Sequence, residues 1–345
     1  MYIDMQKLIR KLICMTLLSL LSCFHTNVNA STECSSAIRG VNLAGAEFAG
    51  DKLPAMAGKN YFFPKIEHLQ RANNAGFNAI RLPISWESLQ PNLYGALDET
   101  YANLLLSFLN QAYLNHQVVI VDVHNYGRYK KELIGSAQVP SEAFADMWKK
   151  LATILHKHPA LYAYGLMNEP HHTQGLWHIT AQFGLNAIRE VDTSHLIYVA
   201  GDDWSSASSW PKSNPQPFVT DPSDKIVYEA HIYFDDDFSG RYAKPIGNVN
   251  LKARTEARLL PFVSWLKKYK QKGVIGEWGV PTDDPAYDDA TETFLSITNT
   301  ECLDWFVWVA GYMRPSYVLS LDSLDGKPKH LLQKLKDRLI KEPAN

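Results

Sequence analysis

Eight short apolar runs constrain this chain more than any other feature. They read RGVNLAG (39–45), NAIRLPISW (78–86), VVIVDVHN (118–125), LYAYGLMNEP (161–170), LIYVAGDDW (196–204), IVYEAHIY (226–233), GVIGEWG (273–279) and WFVWVAG (305–311). Between them lie longer stretches of helical character, such as PKIEHLQRANNAG, YANLLLSFLNQAYLN, FADMWKKLATILHKH, HITAQFGLNAIREV, ARLLPFVSWLKKYKQK and TETFLSITN. Strands recurring at intervals of roughly thirty to forty-five residues, alternating with helices, predict an α/β protein, a (β/α)8 TIM barrel in a single domain, rather than an open doubly wound sheet. No run is followed by a glycine-rich phosphate turn, so a dinucleotide fold has little support. At 345 residues, 46% hydrophobic, the chain is long enough to bury such a core.

A barrel of this kind keeps its chemistry where the strands end, at the carboxyl face. Read in order, those ends carry Glu47 just past the first run, Arg81 on the second, His124 and Asn125 on the third, and Asn168 and Glu169 on the fourth. Trp204 follows the fifth run, His231 and Tyr233 lie on the sixth, Glu277 and Trp278 on the seventh, and Trp308 on the eighth. A single polar residue in such a place is an ordinary rim contact; one on nearly every strand makes a site. Glu169 and Glu277 stand on runs four and seven, which face each other across a barrel mouth. Hydrolysis of a glycosidic bond needs such a pair: one carboxylic acid to protonate the leaving oxygen, one carboxylate to attack or to activate water. A structural rim ion pair is the bland alternative.

The first thirty residues are of another kind. Lys7, Arg10 and Lys11 precede LICMTLLSLLSCF, too short for a membrane span but suited to a signal-peptide core, and VNA before Ser31 is an acceptable cleavage site. The expected division is a signal peptide over 1–30 and a catalytic barrel domain over 31–345, with a secreted or periplasmic location. LLSC, ending at Cys23, loosely resembles a lipoprotein box, and a lipid anchor there is the alternative to simple cleavage. Without the leader only Cys34 and Cys302 remain, just before the first and eighth runs. Those runs are neighbours in a closed barrel, so a Cys34–Cys302 disulfide is expected. The net charge of −2 is spread along the chain, leaving no basic patch for nucleic acid or anionic lipid. Nine Trp and seventeen Tyr exceed the needs of a core and suit a surface that stacks on ligand.

In order, RGVNLAGAEF, GFNAIRLPISWESLQP, VDVHNYGRY, GLMNEPH, GDDWSSASSW, EAHIYFDDDFSG, IGEWGVP and WVAGY resemble the successive strand-end motifs of glycoside hydrolase family 5, the cellulase-type retaining glycosidases. The resemblance spans roughly residues 37 to 335 and is closest to the endo-β-1,4-glucanase branch. It implies Glu169 as general acid/base and Glu277 as nucleophile, with Arg81 and Tyr233 hydrogen-bonded to the nucleophile. It further implies that Asn168 binds the sugar 2-hydroxyl, that His124 and His231 line the same subsite, that Trp308 is the platform beneath that sugar, and that Trp204 stacks on a neighbouring ring. Tyr126, Trp210 and Trp278 are further stacking candidates, and His171 is expected on the acceptor side. A guanidinium beside Glu277 favours its ionised form. The eighth motif, WVAGYMRPSYVLSLD, departs from the pattern by lacking tryptophans after its glycine, so Tyr312 is a candidate replacement.

The implied protein is a monomeric, secreted endo-β-1,4-glucanase acting on β-glucan polysaccharide or oligosaccharide, with no cofactor and no metal. Mixed-linkage glucan, xyloglucan and mannan are alternative substrates for the same two glutamates. Two rivals belong to other classes. A metallohydrolase could use His124, His171, His172, His178 and His231, but the first run carries no H-x-H and the chain no H-E-x-x-H. A non-catalytic carbohydrate-binding barrel predicts that one of the glutamates is missing, and both are present.

Overall fold

The computed structural model describes residues 34, 38–48, 52–323 and 326–339; the expected leader, with Cys23, lies outside them. The chain divides into units Met1–Ser35 and Ser36–Asn345. Within the second, eight parallel strands close into a barrel: β1 Arg39–Ala44, β2 Ala79–Ile84, β3 Val118–Val123, β4 Leu161–Gly165, β5 Leu196–Ala200, β6 Ile226–Tyr233, β7 Gly273–Gly279 and β8 Asp304–Gly311. Each strand pairs with its sequence neighbours, and β1 closes on β8 with Arg39 opposite Trp305 and Gly40 opposite Phe306. The expected barrel is therefore present. Runs four and five stop short of their expected ends, at Gly165 and Ala200, where the chain leaves the ladder before delivering its polar residues.

Among the described residues seven helices of ten residues or more cover the strands: α1 Ile66–Ala75, α2 Glu99–Leu114, α3 Ser141–Leu155, α4 Leu176–Arg189, α5 Leu251–Tyr269, α6 Asp288–Thr300 and α7 His330–Leu339. Asp98 and Asn250 cap α2 and α5 by accepting from Tyr101 N and Ala253 N, and Gly76 ends α1 at a φ of 100°. Between β5 and β6 stands only the one-turn helix Trp210–Ser213. The sequence had offered no helical stretch there, and α7 was not anticipated.

The barrel interior has two storeys. Its lower one is an apolar cluster with one residue from each strand or its entry: Ile38, Ala79, Ile120, Ala163, Tyr198, Val227, Val274 and Phe306. Gly40 leaves the space that the Phe306 ring fills, since a Cβ there would lie 2.2 Å from the ring. Two residues further along a strand the side chain again points inward. On that count Ala79 is followed by Arg81, Ile120 by Asp122 and His124, and Val227 by Glu229, His231 and Tyr233. The upper storey is thus polar and charged. Cys34 and Cys302 are disulfide-bonded, as the sequence led us to expect.

Candidate active site

Strand parity alone would put Glu277 on the wrong side of the sheet. Val274 faces the barrel interior, so Gly276 and Trp278 should follow it inward and Glu277 should point out. The pairing register shifts at this point: Ala230 is opposite Ile275, but His231 is opposite Glu277. One extra residue is inserted on β7, a bulge of the kind that re-aims side chains at sites. Glu277 thereby turns into the mouth, and Trp278 turns out to stack on Phe294 at 4.2 Å. Gly276 has a second reason to be glycine, because a Cβ would come within 1.8 Å of the Glu229 carboxylate.

Arg81 is the hub of the upper storey and is fully buried. Its Nη1 donates to Glu277 Oε1 at 3.1 Å and to Asn42 Oδ1 at 2.9 Å, and its Nη2 donates to Asn168 Oδ1 at 2.9 Å. Nη2 also lies 3.0 Å from Asp122 Oδ1, and Nε lies 2.9 Å from Glu229 Oε1; both are charge contacts outside hydrogen-bond alignment. The other carboxylate oxygen of Glu277 accepts from the Tyr233 hydroxyl at 2.8 Å. Asn42 is fixed in turn by donating to the Gly276 and Val307 carbonyls.

Two carboxylates flank the hub in equivalent ways. Asp122 on β3 and Glu229 on β6 each touch Arg81 and also reach the imidazole two residues on. Asp122 Oδ2 lies 2.9 Å from His124 Nδ1, and Glu229 Oε1 lies 3.2 Å from His231 Nε2. Their surroundings then separate them. His231 Nδ1 faces Glu169 Oε1 at 2.7 Å and Glu277 Oε2 at 3.7 Å. Burial alone would lower its pKa, but the charge of Glu277 and the hydrogen bonds to Glu169 and Glu229 outweigh that and raise it to about 10. His124 has the Trp308 and Tyr126 rings on other sides, and burial pushes it down to about 4. His231 is an imidazolium and His124 a neutral ring. Glu229 is held below its ordinary value because Arg81 and His231 overcome burial, whereas burial raises Asp122 to about 7 against Arg81.

Glu277 departs from expectation. Burial raises its pKa, with Glu169 adding like charge, and His231 and Arg81 only partly oppose this. The reason lies in the hub: one guanidinium is divided among Glu277, Asp122 and Glu229, so it cannot serve Glu277 alone. Glu47, at the rim, accepts from Gly45 N at 2.7 Å and is pushed by burial up to about 8.

Glu169 and Glu277 are brought together as expected, with one oxygen of each and a nitrogen of His231 lying within 4.8 Å of one another. Among the described residues this is the group of three that could hold an ion. Both nitrogens of His231 already face carboxylates, Nδ1 that of Glu169 at 2.7 Å and Nε2 that of Glu229 at 3.2 Å. Glu169 follows Asn168 at a φ of 42°, an unusual backbone for a glutamate and a mark of functional placement. Asn168 N donates to Val123 O at 2.7 Å, while its side-chain Nδ2 is buried with no partner among the described residues.

The aromatics divide. Trp308 lies parallel to His124, at 11° and 5.7 Å. Trp204 is 43% exposed and stacked on His171 at 3.4 Å, which places both at the mouth beside Glu169. Tyr126 stands edge-on to His124, His171 and Trp204. Trp210 and Trp278 are buried behind the barrel, Trp210 among Tyr228, Phe262 and Trp265, and cannot stack on ligand. Asn125 likewise faces away, donating to Glu87 and accepting from Trp86 N. Tyr312 packs on Phe62 at 5.0 Å, with the His68 ring 5.1 Å away. The sequence reading missed Asn42, Asp122 and Glu229, although a carboxylate in the middle of an apolar run was a visible signal for the last two.

A closed parallel barrel with two carboxylates converging on one open mouth, lined by rings, defines a glycoside hydrolase. A family model described as "Cellulase (glycosyl hydrolase family 5)" matches residues 34–314. The endo-beta-1,4-glucanase B of Emericella nidulans is 32% identical over 293 residues, covering 83% of this chain and 86% of that one. Endoglucanase 1 of Saitozyma flava is 32% identical over 313 residues, covering 85% and 86%. Among solved structures, Pseudomonas stutzeri endoglucanase Cel5A in complex with cellobiose is 41% identical at a TM-score of 0.85, covering 89% of this chain and 94% of that one. XacCel5A in complex with cellopentaose is 35% identical at 0.81, covering 87% and 99%. The chain belongs to glycosyl hydrolase family 5.

Proposed function

We propose that the protein hydrolyses internal β-1,4-glucosidic bonds of cellulose-type glucan with retention, using Glu277 as nucleophile and Glu169 as general acid/base. The observation that carries this reading is the approach of the two carboxylates to within 4.8 Å, oxygen to oxygen. Carboxyl groups stand about 5–5.5 Å apart in retaining enzymes and about 6.5–9.5 Å apart in inverting ones; oxygens this close fit the former, and membership of family 5 supports it. The endoglucanase relatives, and the cellobiose and cellopentaose held by the two solved structures, support a β-glucan chain as substrate.

In the first step a Glu277 oxygen attacks the anomeric carbon while Glu169 gives its proton to the glycosidic oxygen, and the carbon–oxygen bond breaks to release the leaving chain. In the second, Glu169, now a carboxylate, takes a proton from water as that water attacks the anomeric carbon and frees Glu277. His231 holds Glu169 Oε1, Tyr233 and Arg81 hold Glu277, and the unpartnered Asn168 amide donates to the 2-hydroxyl. His124 and Trp308 wall the sugar that becomes covalently bound, and Trp204 meets the chain that leaves.

The chain is exported, with a leader over 1–30 removed from a catalytic domain over 31–345, and works as a secreted or periplasmic monomer; the Cys34–Cys302 disulfide supports an oxidising compartment. Mixed-linkage glucan, xyloglucan and mannan are the competing substrates, to be ranked against carboxymethyl cellulose in one assay panel. Glu169→Gln and Glu277→Gln should each lower turnover of soluble β-glucan about 10³-fold or more with the fold retained. Wild-type rates in both variants would remove the assignment and favour a carbohydrate-binding barrel.

A further inference from the structure

A cavity of about 460 Å³ opens beside Glu169, bounded by Trp204, His231, Tyr233, Phe238 and Arg258. Its lining takes in the acid/base but not Glu277, His124 or Trp308. Because Glu169 protonates the leaving oxygen, the space on its side receives the leaving part of the chain. We infer that Phe238 is an acceptor-side platform for a β-1,4-linked pyranose ring, serving with Trp204 in the lining of this one cavity. The inference rests on the retaining glucanase reading and extends it to a residue of EAHIYFDDDFSG that was given no role.

Three observations meet at Phe238. Phe238 lines the cavity and is 49% exposed, so part of the side chain is open to a ligand. Its backbone has a φ of 62°, a conformation disfavoured for a bulky residue and kept only when its surroundings impose it. Here the Asp235 carboxylate does so, accepting from Gly240 N, Tyr242 N and Ser239 Oγ at 3.0–3.1 Å. Lastly, the buried Arg258 guanidinium lies 3.8 Å from the ring centroid and backs one face. Trp204 repeats the design, with a φ of 60° and His171 stacked on one face. Two rings, each backed on one side and fixed by a strained backbone, border a single space. In a β-1,4-linked glucan every ring hydroxyl is equatorial, so each sugar offers flat axial C–H faces that fit aromatic surfaces. Gly240 shows how closely this loop docks, since a Cβ there would lie 2.8 Å from the Tyr233 ring.

The test compares two substrates on Phe238→Ala, Phe238→Tyr and the parent. An aryl β-cellobioside has no sugar on its leaving side, whereas cellopentaose does. For Phe238→Ala, kcat/KM on cellopentaose should fall about tenfold, mostly through KM, the size of one lost aromatic contact. The aryl cellobioside should be cleaved within about twofold of the parent, and Phe238→Tyr should restore cellopentaose cleavage. An equal fall on both substrates would assign the ring to supporting Tyr233 and overturn the platform, as would no change on either. A parent enzyme inactive on every β-1,4-glucan would sink the glucanase reading and this inference with it; a Phe238→Ala enzyme matching an active parent sinks the inference alone.

Discussion

The two storeys of the barrel interior are built by the same strands, a few ångströms apart, on opposite physical principles. The lower storey, from Ile38 to Phe306, is held by apolar burial and shape, and any side chain of the right volume would serve. The upper storey places Arg81, Asp122, Glu229, His231 and Glu277 out of water at almost full burial. Desolvating that many charges costs more than packing returns unless each is paired and aligned. The lower storey therefore serves the fold. The upper one trades stability for a set of groups whose protonation is fixed before substrate arrives.

The strongest way to break this contrast is to remove the hub. Arg81→Met leaves Asp122, Glu229 and Glu277 without their shared cation, and breaking a buried ion network of this kind costs about 3–5 kcal/mol. We expect a large drop in the denaturation midpoint together with loss of glucan turnover. Arg81→Lys should recover more stability than activity, because a point charge cannot hold Asn168, Asn42 and Glu277 at once. Full stability in Arg81→Met would show that the upper storey is not electrostatically coupled.

A matched pair of glycines sharpens the same contrast. Gly40→Ala drives a methyl into the Phe306 ring and Gly276→Ala drives one into the Glu229 carboxylate, at 2.2 Å and 1.8 Å. Overpacking costs about 1–3 kcal/mol in either place. The consequences should part: Gly40→Ala loses stability with kcat nearly unchanged, whereas Gly276→Ala displaces Glu229 from Arg81 and His231 and loses kcat as well. Equal kcat in the two variants, measured below their unfolding temperatures, would contradict the division.

Much of this was legible in the sequence, for identifiable reasons. The strands were readable because each is an apolar run; Glu169 was readable because it stands where its run is cut off, and Arg81 and His231 because each interrupts its run with a polar group. Trp278 was misread because its direction depends on the bulge at Gly276, and a register shift leaves no mark in composition or periodicity. Trp210 was misread because a one-turn helix has no period to show which face is buried. Asp122 and Glu229 were visible as misplaced charges, but their shared partner lies on another strand, β2, beside β3 and across the barrel from β6. Phe238 was the least readable, since neither its positive φ nor the Arg258 guanidinium against its ring shows in the sequence. The effect of Arg81 on Glu277 was overestimated for a related cause: the sequence shows one cation near one carboxylate, not the other carboxylates that share it.

The smallest expected effect separates the storeys by pH. His231 is raised from 6.5 to about 10, so its contribution to stability is complete below pH 6.5 and is lost as pH rises through about 10. Asp122 and Glu47, raised by burial to about 7 and about 8, add a loss of the same sign, but one that ends by about pH 8. Above about pH 8 His231 adds a slope on the order of 1 kcal/mol per pH unit, or a few degrees of thermal midpoint; buried tyrosines such as Tyr101, Tyr233 and Tyr242, raised above 10, add a loss of the same sign near pH 10, so His231 is read as the difference between variants. Glu229→Gln removes one of the two hydrogen-bonded carboxylates that keep the imidazolium charged, and should flatten that slope. Gly40→Ala, which touches only the lower storey, should run parallel to the parent at a lower midpoint throughout. If Glu229→Gln kept the full slope, Glu169 and Glu277 alone would be holding the charge on His231, and Glu229 would have to be explained through Arg81.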